Sequence, residues 1–441
     1  MDAQKLPYLL VSDSAGNIFE VPPYRMVGMG GTHVMIPDED DLIPLPYGSD
    51  LFQLPGRIPL GYNPETGSIE AISRVNGEPV FAVAAFMAPA YLQLLRSAYQ
   101  SQAGAPPLSL YSYTAVGWKD EQFWVPARRI DPDVRQDLGL FNLRLIDTEA
   151  RRLRQQYPQN RLVQHLIENC VFRYGCPAAR NFTLQRWECP LPTSPGCNAA
   201  CVGCISEQPP EQHVTAPQNR ITFTPTPEEI AEIAVRHLEN APRPVVSFGQ
   251  GCEGEPLLQG ELLEAAIRLI RSRTQRGVIN LNTNASRPDV VERLMQAGLD
   301  SIRVSLNSAH PTFYHRYYRP RNYTFEDVQA SMQIVHQYGG WISLNYFVFP
   351  GFTDHPREMT ALKQLLDRIP IQMIQTRNLN MDPEWYIQLM ELDEWEDDAI
   401  GIPSWLNWLQ QHFPTIRFGY FNPPREEMHS PLSSVENRAQ D

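Results

Sequence analysis

From Pro244 to Arg377 the chain alternates short apolar runs with longer amphipathic ones, and few folds accommodate that rhythm. The short runs are Pro244–Phe248, Val278–Asn282, Ser301–Leu306, Trp341–Phe349 and Met373–Arg377. Between them the spacing predicts helices from Leu258 to Ser272, Pro288 to Ala297, Phe325 to Tyr338 and Pro356 to Ile369, with one more from Thr226 to Asn240 ahead. Thr226-Pro227-Glu228-Glu229 is a strong helix start, and Gly298 a natural stop. Strands separated by helices cannot pair as hairpins, so they form a parallel sheet with helical crossovers. A further strand before Cys197 brings the expected number to six.

Directly ahead of this rhythm lies Ser194-Pro195-Gly196-Cys197-Asn198-Ala199-Ala200-Cys201-Val202-Gly203-Cys204, which holds three of the seven cysteines. The spacing is C-x3-C-x2-C. Disulfides call for an even set, and a tetrahedral zinc site calls for a fourth ligand close by. Three thiolates on one tight loop suit an iron–sulfur cluster that keeps one iron free of protein ligands. About fifty residues on, at the end of the next strand, comes Gly249-Gln250-Gly251-Cys252-Glu253-Gly254-Glu255-Pro256. In parallel α/β folds reactive groups stand at such C-terminal strand ends.

Together these two stretches resemble the radical S-adenosylmethionine (radical SAM) enzymes. The resemblance implies a [4Fe–4S] cluster on Cys197, Cys201 and Cys204, with S-adenosylmethionine chelating the fourth iron. It also implies a partial (βα)6 TIM-like barrel, an α/β fold, here preceded by a strand-rich N-terminal domain. Gly254-Glu255-Pro256 is similar to the family's Gly-Gly-Glu-Pro motif, with Glu253 in place of the first glycine, and would meet the cofactor's ammonium. Gly203 stands where the family usually has an aromatic residue on the adenine side. The fourth-strand polar positions Ser305 and Asn307 are expected to face the barrel and meet ribose or carboxylate. Thr283, Asn284, Asn345 and Arg377 stand at equivalent heights, facing cofactor or substrate. The implied reaction is reductive cleavage of S-adenosylmethionine to a 5′-deoxyadenosyl radical that abstracts a substrate hydrogen, with a flavodoxin or ferredoxin-type electron donor. The substrate is a peptide or protein side chain or a small metabolite.

Four cysteines remain. Cys170, Cys176 and Cys189 are candidate ligands of a second, auxiliary iron–sulfur cluster, or packed and incidental residues. Cys252, before the Gly-Glu-Pro stretch, is a candidate hydrogen-atom donor, a ligand of a second cluster, or a small packed residue. His310, Tyr314, His315, Tyr317, Tyr318 and Arg319 crowd the segment after the fourth strand, where they suit an anionic or planar substrate or simple packing.

The rest of the chain divides into a strand-rich domain of unassigned role at 1–140, a helical connector at 141–193, the core at 194–390 and a closing segment at 391–441. In the first, Tyr8–Val11 and Asn17–Val21 flank an Asp13–Gly16 turn and read as a hairpin. Leu92, Leu94, Leu95 and Tyr99 predict a helix from Pro89 to Gln100. His33, beside Gly30 and Gly31, is a ligand or a structural histidine. Asp147 or Thr148 and then Asn160 are expected helix caps. In the closing segment, Trp405–Leu409 suggests a helix, Ile416–Tyr420 a short strand, and the last dozen residues a disordered tail. A net charge of −13 argues against a general nucleic-acid or anionic-membrane surface. The N-terminus opens no signal peptide and no run is long enough to span a membrane, so a reducing cytoplasm is expected. The competing reading, from another class, is a non-catalytic zinc- or iron–sulfur-binding structural or regulatory module.

Overall fold

The computed structural model describes residues 5–428. The polar tail falls outside these residues, as do the first four positions.

Seven parallel strands form one sheet in sequence order: β1 (Glu188–Pro190), β2 (Val245–Phe248), β3 (Val278–Thr283), β4 (Ser301–Leu306), β5 (Trp341–Val348), β6 (Met373–Asn378) and β7 (Arg417–Gly419). The six expected strands are present, and a seventh joins them because the closing segment returns beside β6, pairing Met373–Gln375 with Arg417–Gly419. No ladder joins β7 to β1 among the described residues, so the sheet curls into an open half-barrel. Every residue of β3 is buried, as expected for a parallel strand covered on both faces.

The helices follow from local chemistry. Asn142 caps α1 (Leu143–Gln156), whereas Thr148 lies inside that helix and bonds back to the Arg144 carbonyl. Asn160 caps α2 (Arg161–His165) as expected. A π-helical turn (Leu166–Arg173) continues α2, and α3 (Pro177–Thr183) ends the connector. On the outside of the sheet, α4 (Pro227–Asn240) starts with a reciprocal Thr226–Glu229 capping box. It is followed by α5 (Gly260–Arg273), α6 (Pro288–Ala297), α7 (Pro311–Tyr318), α8 (Phe325–Gln337), α9 (Pro356–Arg368), α10 (Pro383–Met390) and α11 (Ile402–His412).

The N-terminal region is antiparallel, and its first hairpin pairs Leu10–Ser12 with Ile18–Glu20. The helix expected from Pro89 to Gln100 is absent. Tyr91–Gln93, Arg96–Ser97 and Tyr99–Ser101 are three short strands paired with three different partners. Ala90 sits at φ +70°, which no helix tolerates. The apolar spacing of so short a run fits either structure, and distant partners decided it.

These strands cap the C-terminal ends of β5 and β6. Arg57, almost fully buried, pairs with Asp382 at 3.2 Å and Glu384 at 3.3 Å. The Leu108 N–H donates to Asp382 at 2.7 Å, and Asn378 bonds the backbone of both Gln93 and Tyr91. The Gly31 N–H donates to the Pro350 carbonyl at 2.7 Å. Leu92, Leu94 and Leu110 pack into the same core as the barrel. His33 lies on the exposed rim, 3.1 Å from Asp397.

Candidate active site

A cavity of about 460 Å³ lies between the barrel mouth and the cap. Cys197, Cys201, Gly203, Cys204, Gly254, Glu255, Pro256, Thr283, Asn284, Ser305, Asn345 and Arg377 all line it. Residues more than 150 positions apart in sequence are brought together here because each follows, or ends, a neighbouring strand of one sheet.

The cysteine loop is clamped on two sides. On one, the Gly254 N–H donates to the Ser194 carbonyl at 2.7 Å and the Glu255 N–H to the Gly196 carbonyl at 2.9 Å. A methyl group at Gly254 would stand 1.9 Å from the Gly196 oxygen, so only glycine permits this backbone contact. On the other side, the Ala200 and Val202 N–H groups donate to the carbonyls of Tyr318 and Tyr317, at the end of α7.

Glu253 explains its own departure from a glycine-rich pattern. One carboxylate oxygen accepts from the Thr193 N–H at 2.7 Å, the Ser194 N–H at 2.9 Å and the Thr193 hydroxyl at 3.1 Å. The other accepts from the Gln250 N–H at 2.7 Å. The side chain therefore ties the cysteine loop to its neighbour. Burial pushes its carboxyl up to about 7, and these donors pull against that rise. Glu255 is tied in the same way, to Thr283 at 2.5 Å, the Asn284 N–H at 2.8 Å and the Leu257 N–H at 3.0 Å. Its carboxyl is likewise raised to about 7 by burial.

Gly203 lies against an aromatic side chain of α7. A methyl at Gly203 would lie 2.5 Å from the Tyr317 hydroxyl, so the tyrosine of α7 fills that space. The three cysteines are free of disulfides. Burial pushes the Cys197 thiol up to about 11, helped by the charge of Glu255, and holds Cys201 well above its ordinary value. The Arg220 guanidinium donates to the Cys204 sulfur at 3.7 Å. Three convergent free thiols beside a glycine cradle fit an iron–sulfur cluster, whose positive core offsets the desolvation of buried thiolates.

The opposite part of the cavity is cationic. Arg303 of β4 and Arg377 of β6 both line it, and both donate to the Gln375 amide oxygen, at 3.3 and 3.4 Å. Burial, then repulsion from Arg377, pushes Arg303 down to about 9. Arg377 stacks on Tyr420 at 3.3 Å, and the Nε atoms of both arginines are buried without hydrogen-bond partners. Asn345 donates to Ser305 at 3.3 Å. Arg303 escaped the sequence reading although it lies two residues from Ser305 on the same strand, where alternation places both on one face.

Several expectations are corrected. Asn307 does not line the cavity; it lies beyond the end of β4, where its amide faces the Phe313 carbonyl and the Tyr386 hydroxyl. Cys252 is buried behind the loop, its sulfur 3.8 Å from that of Cys170, and so is not placed to donate hydrogen at the mouth. Cys189, on β1, is fully buried with its sulfur toward the Pro190 carbonyl, and is not among the grouped ligand atoms of His165, Cys170 and Cys252. Cys176 stands outside the group of His165, Cys170 and Cys252, whose ligand atoms all lie within 4.8 Å of one another.

Residues 191–363 match the family model described as "Radical SAM superfamily", so this part of the chain is similar to that superfamily. The family implies a [4Fe–4S] cluster and S-adenosylmethionine as cofactors. A protein named "Probable GTP 3',8-cyclase" from Methanococcus maripaludis is 27% identical over 191 residues, covering 41% of this chain. This chain spans 59% of that relative's length. A radical SAM methyltransferase from Sphaerobacter thermophilus aligns over 47% of this chain and 64% of its own, with 15% identity and a TM-score of 0.34. SuiB from Streptococcus suis, solved with its precursor peptide SuiA, aligns over 55% of this chain and 53% of its own, with 15% identity and a TM-score of 0.36. No helix among the described residues is long and apolar enough to cross a membrane.

Proposed function

We propose that this protein is a radical SAM enzyme acting on a small anionic substrate. The observation that carries the reading is a single cavity with three free thiols and the Gly254–Pro256 loop at one part and Arg303 with Arg377 at another. Cys197, Cys201 and Cys204 would hold the cluster, and Glu255 with the exposed carbonyls of its loop would receive the ammonium of S-adenosylmethionine. When bound, that pair supplies a 5′-deoxyadenosyl radical able to take a hydrogen atom from a substrate.

The chain's own residues position and enclose. Tyr317 takes the adenine-side place left by Gly203, while Ser305 and Asn345 offer hydroxyl and amide to the sugar or the carboxylate. Two guanidiniums, incompletely satisfied, suit a carboxylate or phosphate, which they bind through paired N–H groups. A cavity of this size is in the range of small-molecule sites, which favours a metabolite over a folded protein. The name of the cyclase relative makes phosphorylated nucleotides the first anions to try. Electrons would come from a flavodoxin or ferredoxin-type donor.

The test is anaerobic reconstitution with iron and sulfide, followed by dithionite and S-adenosylmethionine, with 5′-deoxyadenosine as the readout. Formation lost in Cys201→Ala supports the enzyme. In Arg303→Gln, anion-stimulated turnover is expected to fall while the unstimulated background persists. Zinc uptake at Cys197, Cys201 and Cys204 with no cleavage under any condition would defeat the reading.

A further inference from the structure

Behind the active-site loop lies a second group of metal-ligand type. His165 ends α2, Cys170 lies in the π-helical turn that follows, and Cys252 comes from the loop after β2. In an α-helix, residues five apart do not share a face. The π-helical turn changes this, because its wider winding places residue i+5 over residue i, as in the Tyr174 N–H bond to the Asn169 carbonyl at 3.1 Å. The turn thus brings a ring nitrogen of His165 and the Cys170 sulfur to one point, which Cys252 meets from the barrel. His165 Nε2 and Asn169 Nδ2 are both buried there without hydrogen-bond partners.

We infer that His165, Cys170 and Cys252 hold a single tetrahedral metal ion, of the zinc type, that fastens the connector to the loop carrying Glu253 and Glu255. Two sulfurs each about 2.3 Å from one tetrahedral ion lie about 3.8 Å apart. The observed Cys170–Cys252 separation is 3.8 Å. The thiolates of a [4Fe–4S] cluster each sit on a different iron and stand farther apart, so the spacing argues against a cubane here. The Cys176 N–H donates to the Cys170 carbonyl at 2.8 Å, while its sulfur stays outside the ligand group. Two thiolates and an imidazole are soft to borderline ligands, which select zinc and exclude magnesium or calcium. On binding, the ion displaces the thiol protons to solvent, with no change of oxidation state.

This inference is independent of the radical chemistry, and its test is arranged accordingly. Full-length protein carrying Cys201→Ala, which disables the first cysteine site, is dialysed against a chelator and titrated with Zn²⁺ and then Co²⁺. About one tightly held equivalent is expected, with the cobalt form showing the strong visible bands of tetrahedral thiolate ligation. Binding should weaken at least about tenfold in Cys170→Ser and in His165→Gln, each checked for folding by circular dichroism. Three results would overturn the inference: no uptake with both thiols free to alkylate, a chain two mass units light from a Cys170–Cys252 disulfide, or iron bound with acid-labile sulfide. Loss of 5′-deoxyadenosine formation in the parent protein would count against the proposed function and leave this site standing.

Discussion

The barrel side of the cavity presents thiols, carboxylates, amides and two guanidiniums, whereas the cap presents Phe86, Met87, Ala88 and Tyr91, with Ser112 beside them. The two sides also differ in how they are held. The barrel residues sit on strand ends fixed by neighbouring strands. The cap is fixed by a few long-range polar ties, above all Arg57 to Asp382 and Glu384. The thiols and charged groups thus sit on the rigid element, and the cap contributes shape and an apolar face.

Four changes probe that division. Asp382→Ala should act most strongly, because it leaves Arg57 buried beside Glu384 alone and removes the acceptor of the Leu108 N–H; losing one partner of a buried pair costs about 3–5 kcal/mol. Faster hydrogen exchange confined to the cap, with 5′-deoxyadenosine still forming without substrate, is the expected pattern. Exchange rising equally in β3 and β4 would mean that cap and barrel unfold as one.

Glu253→Gln comes next, on the barrel side. It sets an amide donor against backbone N–H groups that now meet a carboxylate, at a cost of about 2–3 kcal/mol. Iron retained per chain after reconstitution should fall, while cap exchange stays unchanged.

A third test uses pH. Glu358 in α9 is fully buried, accepts from the Ala309 N–H at 2.7 Å and the Tyr346 hydroxyl at 2.5 Å, and is bonded by Ser308. Burial raises its carboxyl to about 7 from an ordinary 4.5. The fold therefore favours the neutral acid, and this contribution is full below about pH 4.5 and lost as pH rises through 7. The effect is of the order of 1–3 kcal/mol, read as a melting temperature that falls from pH 5 to pH 8 and falls less in Glu358→Gln.

The smallest effect, about 1 kcal/mol, is expected for Gly203→Ala, which crowds the Tyr317 hydroxyl. Weaker S-adenosylmethionine binding should be partly restored by adding Tyr317→Phe. A double variant no better than the single one would show that the methyl meets something else.

The barrel could be read from the sequence because its signals are local: Thr226-Pro227-Glu228-Glu229 caps a helix wherever it lies, and Gly298 stops one. The cap could not, because Tyr91–Gln93, Arg96–Ser97 and Tyr99–Ser101 take their conformation from distant partners, as far off as Gly28 for Ser97. At the site, the three cysteines and Gly254-Glu255-Pro256 lie within short stretches whose spacing is visible. Arg303 was hidden inside a strand, and His165 was hidden by winding, since its partner is five residues on. Tyr317 was noticed only as part of an aromatic crowd; its contact with Gly203 exists only in three dimensions.

The ties of the cap have one more consequence, for the order in which the molecule is made. Arg57 waits for Asp382, 325 residues later, and Gln93 for Asn378, 285 residues later. A chain emerging from the ribosome has therefore finished its hairpins, its cysteine loop and most of its barrel before the cap has anything to close on. Through that interval the loop of Cys197, Cys201 and Cys204 stays uncovered on the cap side, and the ties to the cap form last.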